Sequence, residues 1–335
     1  MGKPIYSNCK LLSHVDALGE PERPITLILF PTNRCNMRCP WCIYYQHPRA
    51  DAFKPEDELT LREMMEIIAY FKRLGLKAVQ ISGGGEPTLH PDFFALVDFI
   101  DAMDLEWALI TNGTGMRRMK FHPLPRWIRI SLDSDREHWN EVHNTGMSME
   151  EFERGVTDYT GLFGTHVGAS FVIHQSNYQY IAKAAQWARD MELKYIRYTY
   201  ALTPEKRTHF DAITDIIEDQ LADASMVSGI EVVYQGERLG LMESIHPQEL
   251  IRCYYAMHVP VIGADGWWYP CCELSYIEKY KVYDLGNGIP RTNIDVDGWP
   301  LLNPQECPPC DMDQKNLDIR DVICARDYCT HENFL

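Results

Sequence analysis

Apolar and polar positions follow two alternating rhythms along the first two-thirds of the chain. Residues 25–30, ITLILF, form a short continuous apolar run, the pattern of a strand covered on both faces. From Thr60 the spacing turns helical: Leu61, Met64, Met65, Ile68 and Leu74 share a face, and Thr60 with Glu63 makes a capping box. Strand KAVQIS (77–82) comes next, then a helix opened by Asp92 with Phe93, Leu96, Val97 and Ile100 on one side. Strands WALIT (107–111) and WIRISLD (127–133) follow, and Ser148 with Glu151 caps another helix. Strand GASFVIH (168–174), a helix opened by Asn177 and strand KYIRYTY (194–200) complete the series. Six strand–helix units in series predict a parallel sheet with helices outside, either doubly wound or closed into an incomplete barrel.

Beyond about Thr203 the rhythm breaks. An acidic, helix-compatible stretch, ITDIIEDQLADAS (213–225), leads into a region rich in Cys, Pro, Gly and Trp after residue 250. So few apolar residues cannot build an independent core, and the region reads as a small subdomain stapled by a metal centre.

Composition narrows the picture. The 335 residues fit one large domain or two, and 45% apolar with 24% charged residues is ordinary for a soluble globular protein. A formal charge of −16 disfavours extended contact with a nucleic-acid backbone, which wants a basic face. No apolar run has the length of a signal or a membrane span, which predicts a cytoplasmic protein. Eleven cysteines in a reducing compartment point to metal or catalytic roles rather than disulfides. They are bimodal: Cys9, three at 35–42, and seven between Cys253 and Cys329, with none from Lys54 to Arg252. That distribution predicts two metal centres.

The first centre is PTNRCNMRCPWC, with Cys35, Cys39 and Cys42 in the pattern C-x3-C-x2-C just after the first strand. Three thiolates hold three corners of a [4Fe–4S] cluster and leave the fourth iron open; zinc would need a fourth ligand from elsewhere. The carboxyl end of such a sheet is where barrel and open-sheet proteins bind ligands. SGGGEP (82–87) follows the second strand, with glycines that let backbone approach a ligand and a carboxylate that suits an ammonium, though a plain turn also fits. ITNGT (110–114) and SLDSDREHWNEVHN (131–144) end the third and fourth strands.

As a set, covering about residues 25–203, these motifs resemble those of the radical S-adenosylmethionine (SAM) enzymes, including aromatic Trp41 before the last cysteine. The resemblance implies an α/β fold: an incomplete (β/α)6 barrel with a small C-terminal cysteine-rich α+β subdomain. It implies that the open iron on Cys35, Cys39 and Cys42 chelates SAM, which an electron cleaves to methionine and a 5′-deoxyadenosyl radical. Gly84, Gly85, Glu86 and Pro87 would hold the amino group of SAM. Asn112, Ser131, Asp133, Ser170 and Arg197 would stand near its ribose, its carboxylate or the substrate. Asp133 equally suits a loop cap, and a structural carboxylate would also satisfy an arginine in an apolar strand.

Cys253, Gly266 five residues before Cys271, LGN (285–287) and the CPPC of Cys307 and Cys310 resemble the auxiliary-cluster extensions called SPASM and twitch. The resemblance implies one auxiliary [4Fe–4S] cluster on Cys253, Cys271, Cys307 and Cys310; a structural zinc suits the same four. Cys324 and Cys329 depart from the spacing of the longer form. A second auxiliary cluster would draw on Cys272, Cys324, Cys329 and a group such as His331. Otherwise Cys272 and Cys324 are free thiols, either hydrogen-atom donors to a substrate radical or inert.

The expected organisation is a 1–24 extension, a 25–212 barrel, a 213–250 helical linker and a 251–335 auxiliary-cluster subdomain. The expected reaction is hydrogen abstraction from a small sugar-like or aminocyclitol-like metabolite or a peptide, ending in dehydrogenation or epimerisation. The 24 residues before the first strand are too few for a leader-peptide-binding domain, which favours a small substrate or a peptide delivered by a partner. His174, Tyr198 and Tyr200 are expected at the substrate side, and a flavodoxin or ferredoxin as reductant. The rival readings are radical modification of a nucleobase in RNA or DNA, and a zinc protein binding nucleic acid without catalysis; the acidic charge disfavours both.

Overall fold

The computed structural model describes residues 24–46, 50–119, 123–161, 166–201, 208–235, 250, 252–286, 303–307 and 313–328. Side chains in the last of these segments are described from 315 to 322.

Seven parallel strands run in chain order: β1 (Thr26–Leu29), β2 (Ala78–Ile81), β3 (Glu106–Thr111), β4 (Trp127–Ser131), β5 (His166–Ile173), β6 (Tyr195–Tyr200) and β7 (Glu231–Gln235). Alternation sends one set of side chains outward into the main core, among them Leu27, Leu29, Val79, Ile81, Leu109, Ile128, Ile130, Phe171 and Tyr198. The helices packed there are α1 (Leu61–Arg73), α2 (Phe93–Ala102), α3 (Trp139–His143), α4 (Met149–Thr160), α5 (Ile181–Asp190) and α6 (Thr214–Ser225). The capping box of α1 is present: Glu63 N donates to Thr60 Oγ1 at 3.3 Å, and Thr60 N donates to Glu63 Oε2 at 2.7 Å. Ser148 caps α4 with the first half of that motif, Glu151 N donating to its Oγ at 3.3 Å. Asp92 and Asn177 make no cap bond. Asn177 instead donates through Nδ2 to the carbonyls of Asp133 and Val172, tying the end of β4 to β5.

The sheet does not stop at the expected boundaries. The 213–250 stretch is more than a helical linker: α6 packs on α5, and β7 adds a seventh parallel strand at one edge. At the other edge, β8 (Val261–Ile262) pairs parallel with β1, Ile28 opposite Val261. Then β9 (Trp267–Tyr269) and β10 (Tyr283–Asp284) continue it antiparallel, giving a ten-stranded sheet in the order β10-β9-β8-β1-β2-β3-β4-β5-β6-β7. Ile28 and Phe30 face inward and pack with Val261, Tyr269 and Tyr276 of the C-terminal segment as a second, smaller core. Helix α7 (Tyr254–His258) and α8 (Asp313–Tyr328) lie against each other, joined by Tyr255 N donating to Asn316 Oδ1 at 2.8 Å. No helix among the described residues is long and apolar enough to cross a membrane.

Candidate active site

The carboxyl ends of β1 to β6 surround a cavity of about 340 Å³, and the three cysteines of the loop after β1 line it. That loop is held by its own arginines. Arg38 donates to the carbonyls of Cys35 at 2.9 Å and Met37 at 2.7 Å, while its guanidinium lies 4.3 Å from the centre of the Tyr45 ring. Arg34 is bound to Glu58 on the far side of the loop. Burial pushes all three thiols up; for Cys39 the Asp133 carboxylate and the other two thiols add to it. Three thiols gathered where ionisation is disfavoured, with no disulfide between them, fit a site completed by a cationic metal centre, whose charge reverses that preference. The donor set fits three corners of an iron–sulfur cluster.

The SGGGEP loop after β2 lies directly on the cysteine loop. Gly85 N donates to Thr32 O at 3.2 Å and Glu86 N to Arg34 O at 2.8 Å, and a Cβ on Gly85 would run into the backbone of Asn33 and Arg34. The close approach that demands glycine there is loop on loop, not only loop on ligand. Glu86 is 2% exposed, and Thr88 N, Thr88 Oγ1 and Thr111 Oγ1 all donate to its Oε1. Asn112 N donates to Oε2 at 2.7 Å. The carboxylate thus pins β2 to β3 and keeps one acceptor position on Oε2 for a donor in the cavity. Asn112 lines the cavity and reaches back to the cysteine loop, donating through Nδ2 to Asn36 Oδ1 at 2.8 Å. Pro87, by contrast, starts a buried 3-10 turn and is not among the cavity residues.

Ser131, Ser170 and Arg197 are level with one another across β4, β5 and β6, and all three line the cavity. Asp133 lines it too, but its Oδ1 accepts Val172 N at 2.6 Å, so the loop-cap role is realised. The residue sits at a left-handed φ of 49°, a conformation that local bonding of an aspartate tolerates. Its Oδ2 lies 3.6 Å from Nε2 of His143, a fully buried histidine whose Nδ1 donates to Trp139 O at 2.9 Å. Of the residues expected at the substrate side, Tyr200 lines the cavity, but Tyr198 does not: its ring is in the outer core and its hydroxyl donates to Ile181 O at 2.8 Å. His174 packs against Trp41, with ring centroids 5.8 Å apart, and is not among the cavity residues.

The C-terminal segment reaches the same site. Tyr276 donates to Asn33 Oδ1 at 2.5 Å, and Tyr44, two residues past Cys42, is bonded to Ser275 Oγ at 3.0 Å. Ser275 Oγ in turn donates to Cys272 O at 2.7 Å. Glu273 lines the cavity from this side. Cys271 is partly buried near Cys272, Glu273 and Cys253; desolvation, then the charges of those groups, raise its pKa well above the usual thiol range. Cys307 is partly buried. Cys9, Cys310, Cys329 and His331 lie outside the described residues, as does the side chain of Cys324. Sequence reading missed Arg129, Glu273 and His143, all of which line the cavity. For Arg129 a signal existed: in WIRIS, the alternation that sends Ile128 and Ile130 outward sends Arg129 inward with Ser131.

A parallel partial barrel that gathers three thiols, a Gly-rich loop and a buried glutamate around one cavity defines a class of cluster-bearing enzyme. Residues 29–188 match the family model described as the Radical SAM superfamily. The curated relatives include GTP 3′,8-cyclase of Staphylococcus haemolyticus, 25% identical over 80% of this chain and 83% of that one. The enzyme of the same name from Staphylococcus carnosus is 25% identical over 81% and 84%. Among solved structures, Streptococcus suis SuiB bound to S-adenosylmethionine has a TM-score of 0.60 at 14% identity, covering 88% of this chain and 69% of that one. Native anSMEcpe with bound AdoMet has a TM-score of 0.57 at 16% identity, covering 84% and 82%. The matched region, residues 29–188, belongs to the radical SAM superfamily. Its fold is the partial barrel of that family, and S-adenosylmethionine and a [4Fe–4S] cluster are its cofactors.

One expectation is overturned. Relatives aligned over four-fifths of both chains are named as cyclases of GTP, so a sugar-like, aminocyclitol-like or peptide substrate undergoing dehydrogenation or epimerisation does not stand.

Proposed function

We propose that this protein is a radical SAM enzyme that performs a cyclisation on a purine nucleoside triphosphate, with GTP as its substrate. The carrying observation is the two-sided alignment with the GTP 3′,8-cyclases, which runs past the barrel into the C-terminal segment. The cavity supports the reading: Arg129 of β4 and Glu273 of the C-terminal segment both line it. A polyphosphate suits the first and the N–H edge of guanine suits the second.

When bound, the cluster and SAM together supply a 5′-deoxyadenosyl radical able to take a hydrogen atom from an unactivated C–H. The chain does the rest. Cys35, Cys39 and Cys42, which line the cavity, would hold the cluster. Oε2 of Glu86 accepts from the ammonium of SAM, while Asn112, Ser131 and Ser170 offer polar contacts for its sugar. Cys253, Cys271, Cys307 and Cys310 would hold an auxiliary cluster. The rings of Tyr44, Phe53 and Tyr276 pack on one another, and a small flavodoxin or ferredoxin delivers electrons.

The test is anaerobic turnover of reconstituted protein with SAM, dithionite and GTP deuterated at C3′. Deuterium appearing in 5′-deoxyadenosine, in step with GTP consumption, is the expected result. GTP left intact, with no deuterium transferred, sinks the proposal.

A further inference from the structure

Arg129 stands on the inward face of β4, one inward position deeper than Ser131, about 7 Å along the strand. Its Nε is shielded from solvent and has no hydrogen-bond partner among the described residues. The guanidinium lies 5.4 Å from the centre of the Trp127 ring. On β5 the position level with it is Gly168, where a Cβ would collide with the ring of Tyr195. The absence of a side chain therefore lets that phenol lie against the strand beside the arginine. Burial lowers the pKa of Arg129, and among the described residues the ionisable groups that act on it are Tyr195, Cys272 and Tyr255, none of them a carboxylate.

A guanidinium held in a protein interior carries a desolvation cost that an anion normally offsets. Here the Trp127 ring lies near it, and the residue lines the cavity. Its position separates it from the SAM layer: Ser131, Ser170 and Arg197 form the ring of side chains above it. Tyr255 and Cys272 belong to the C-terminal segment rather than to the loop of Cys35, Cys39 and Cys42. An anion bound there is on the substrate's side of the site.

We propose that Arg129 is a specificity-determining residue, the receptor for an oxyanion carried by the substrate. The inference deepens the nucleotide reading: it rests on that reading for naming the anion as a phosphate of GTP, but not for the existence of the receptor. A phosphate oxygen pair meets the guanidinium fork in a bidentate way, which a lysine at the same place does not reproduce. The competing source of an oxyanion is the carboxylate of SAM.

The experiment is equilibrium dialysis on anaerobically reconstituted wild type, R129K and R129Q, with four probes: GTP, guanosine, inorganic tripolyphosphate and SAM. Iron content and the unfolding midpoint are measured on each protein. R129Q is expected to weaken GTP and tripolyphosphate roughly ten- to hundredfold, and R129K by a smaller factor, with guanosine and SAM unchanged. Should R129Q fail to hold iron, R129K retains the charge and stem and carries the comparison alone. GTP and tripolyphosphate binding unaltered in the variants overturns the proposal, as does weakening of SAM alone. If GTP fails to bind the wild type while tripolyphosphate binds and depends on Arg129, the nucleotide reading falls and the receptor stands. If neither anion binds the wild type, the receptor is refuted.

Discussion

Replacing Tyr276 with Phe deletes one oxygen from the contact between the C-terminal segment and the cysteine loop. That oxygen accepts from Ala264 N at 2.8 Å and donates to Asn33 Oδ1 at 2.5 Å. The ring and Asn33 are fully buried and Ala264 is 3% exposed, so water cannot replace either bond. The ring itself keeps its packing against Phe30 and Phe53. Leaving a buried donor or acceptor unpaired costs about 1–3 kcal/mol, and two are orphaned here, so a loss of about 2–6 kcal/mol is expected. Tyr44→Phe is the control. Its hydroxyl donates to Ser275 Oγ, which keeps its own bond to Cys272 O, so about 1 kcal/mol is expected. Urea unfolding of the cluster-free, reduced protein measures both, read as a shift in midpoint at constant slope. If Tyr276→Phe costs no more than Tyr44→Phe, the loop is not held by this hydroxyl, and the reasoning from burial is wrong.

Other outcomes follow from the same geometry. Simultaneous Cys35→Ala, Cys39→Ala and Cys42→Ala should lower the iron of anaerobically reconstituted protein from about eight per chain to about four, whereas zinc without iron would contradict both centres. Gly85→Ala sets a methyl against the backbone of Asn33 and Arg34, which cannot turn aside as a side chain can; a loss above about 2 kcal/mol is expected. Gly146→Ala, with nothing within 4 Å of the added carbon, should stay within about 0.5 kcal/mol by the same unfolding assay. Asp265 has its pKa raised by burial, so its contribution to stability is fully present below the ordinary aspartate range and is lost as pH rises through the raised value. Asp265→Asn should flatten the fall of unfolding free energy across that window; an unchanged slope refutes the assignment.

The strands that were legible are those buried on both faces. The runs around Leu27, Val79 and Ile128 sit where their apolar patterns put them, because helices outside and side chains inside leave such segments no solvated face. Strand β7 was hidden because it is an edge, with Glu231, Tyr234 and Gln235 exposed, and its sequence carries no apolar run. The capping signals divided similarly. Thr60 and Ser148 act locally and were readable; Asn177 spends its amide on two carbonyls of neighbouring strands, a tertiary use that no window of sequence contains. The three cysteines and SGGGEP were legible as chemistry. Glu273 was not, because it reaches the cavity only through the pairing of β8 with β1, more than two hundred residues apart in the chain.

That pairing orders events at the ribosome. The cysteine loop is among the first parts of the barrel to be synthesised, yet the tyrosine that clamps it lies 243 residues later. At roughly 5–20 residues per second, the loop emerges about 10–50 s before its clamp exists. An iron–sulfur cluster delivered during that interval would meet three thiols on a strand with one open edge. This early motif therefore matures only once the C-terminal segment has been made, and metal loading belongs after that point.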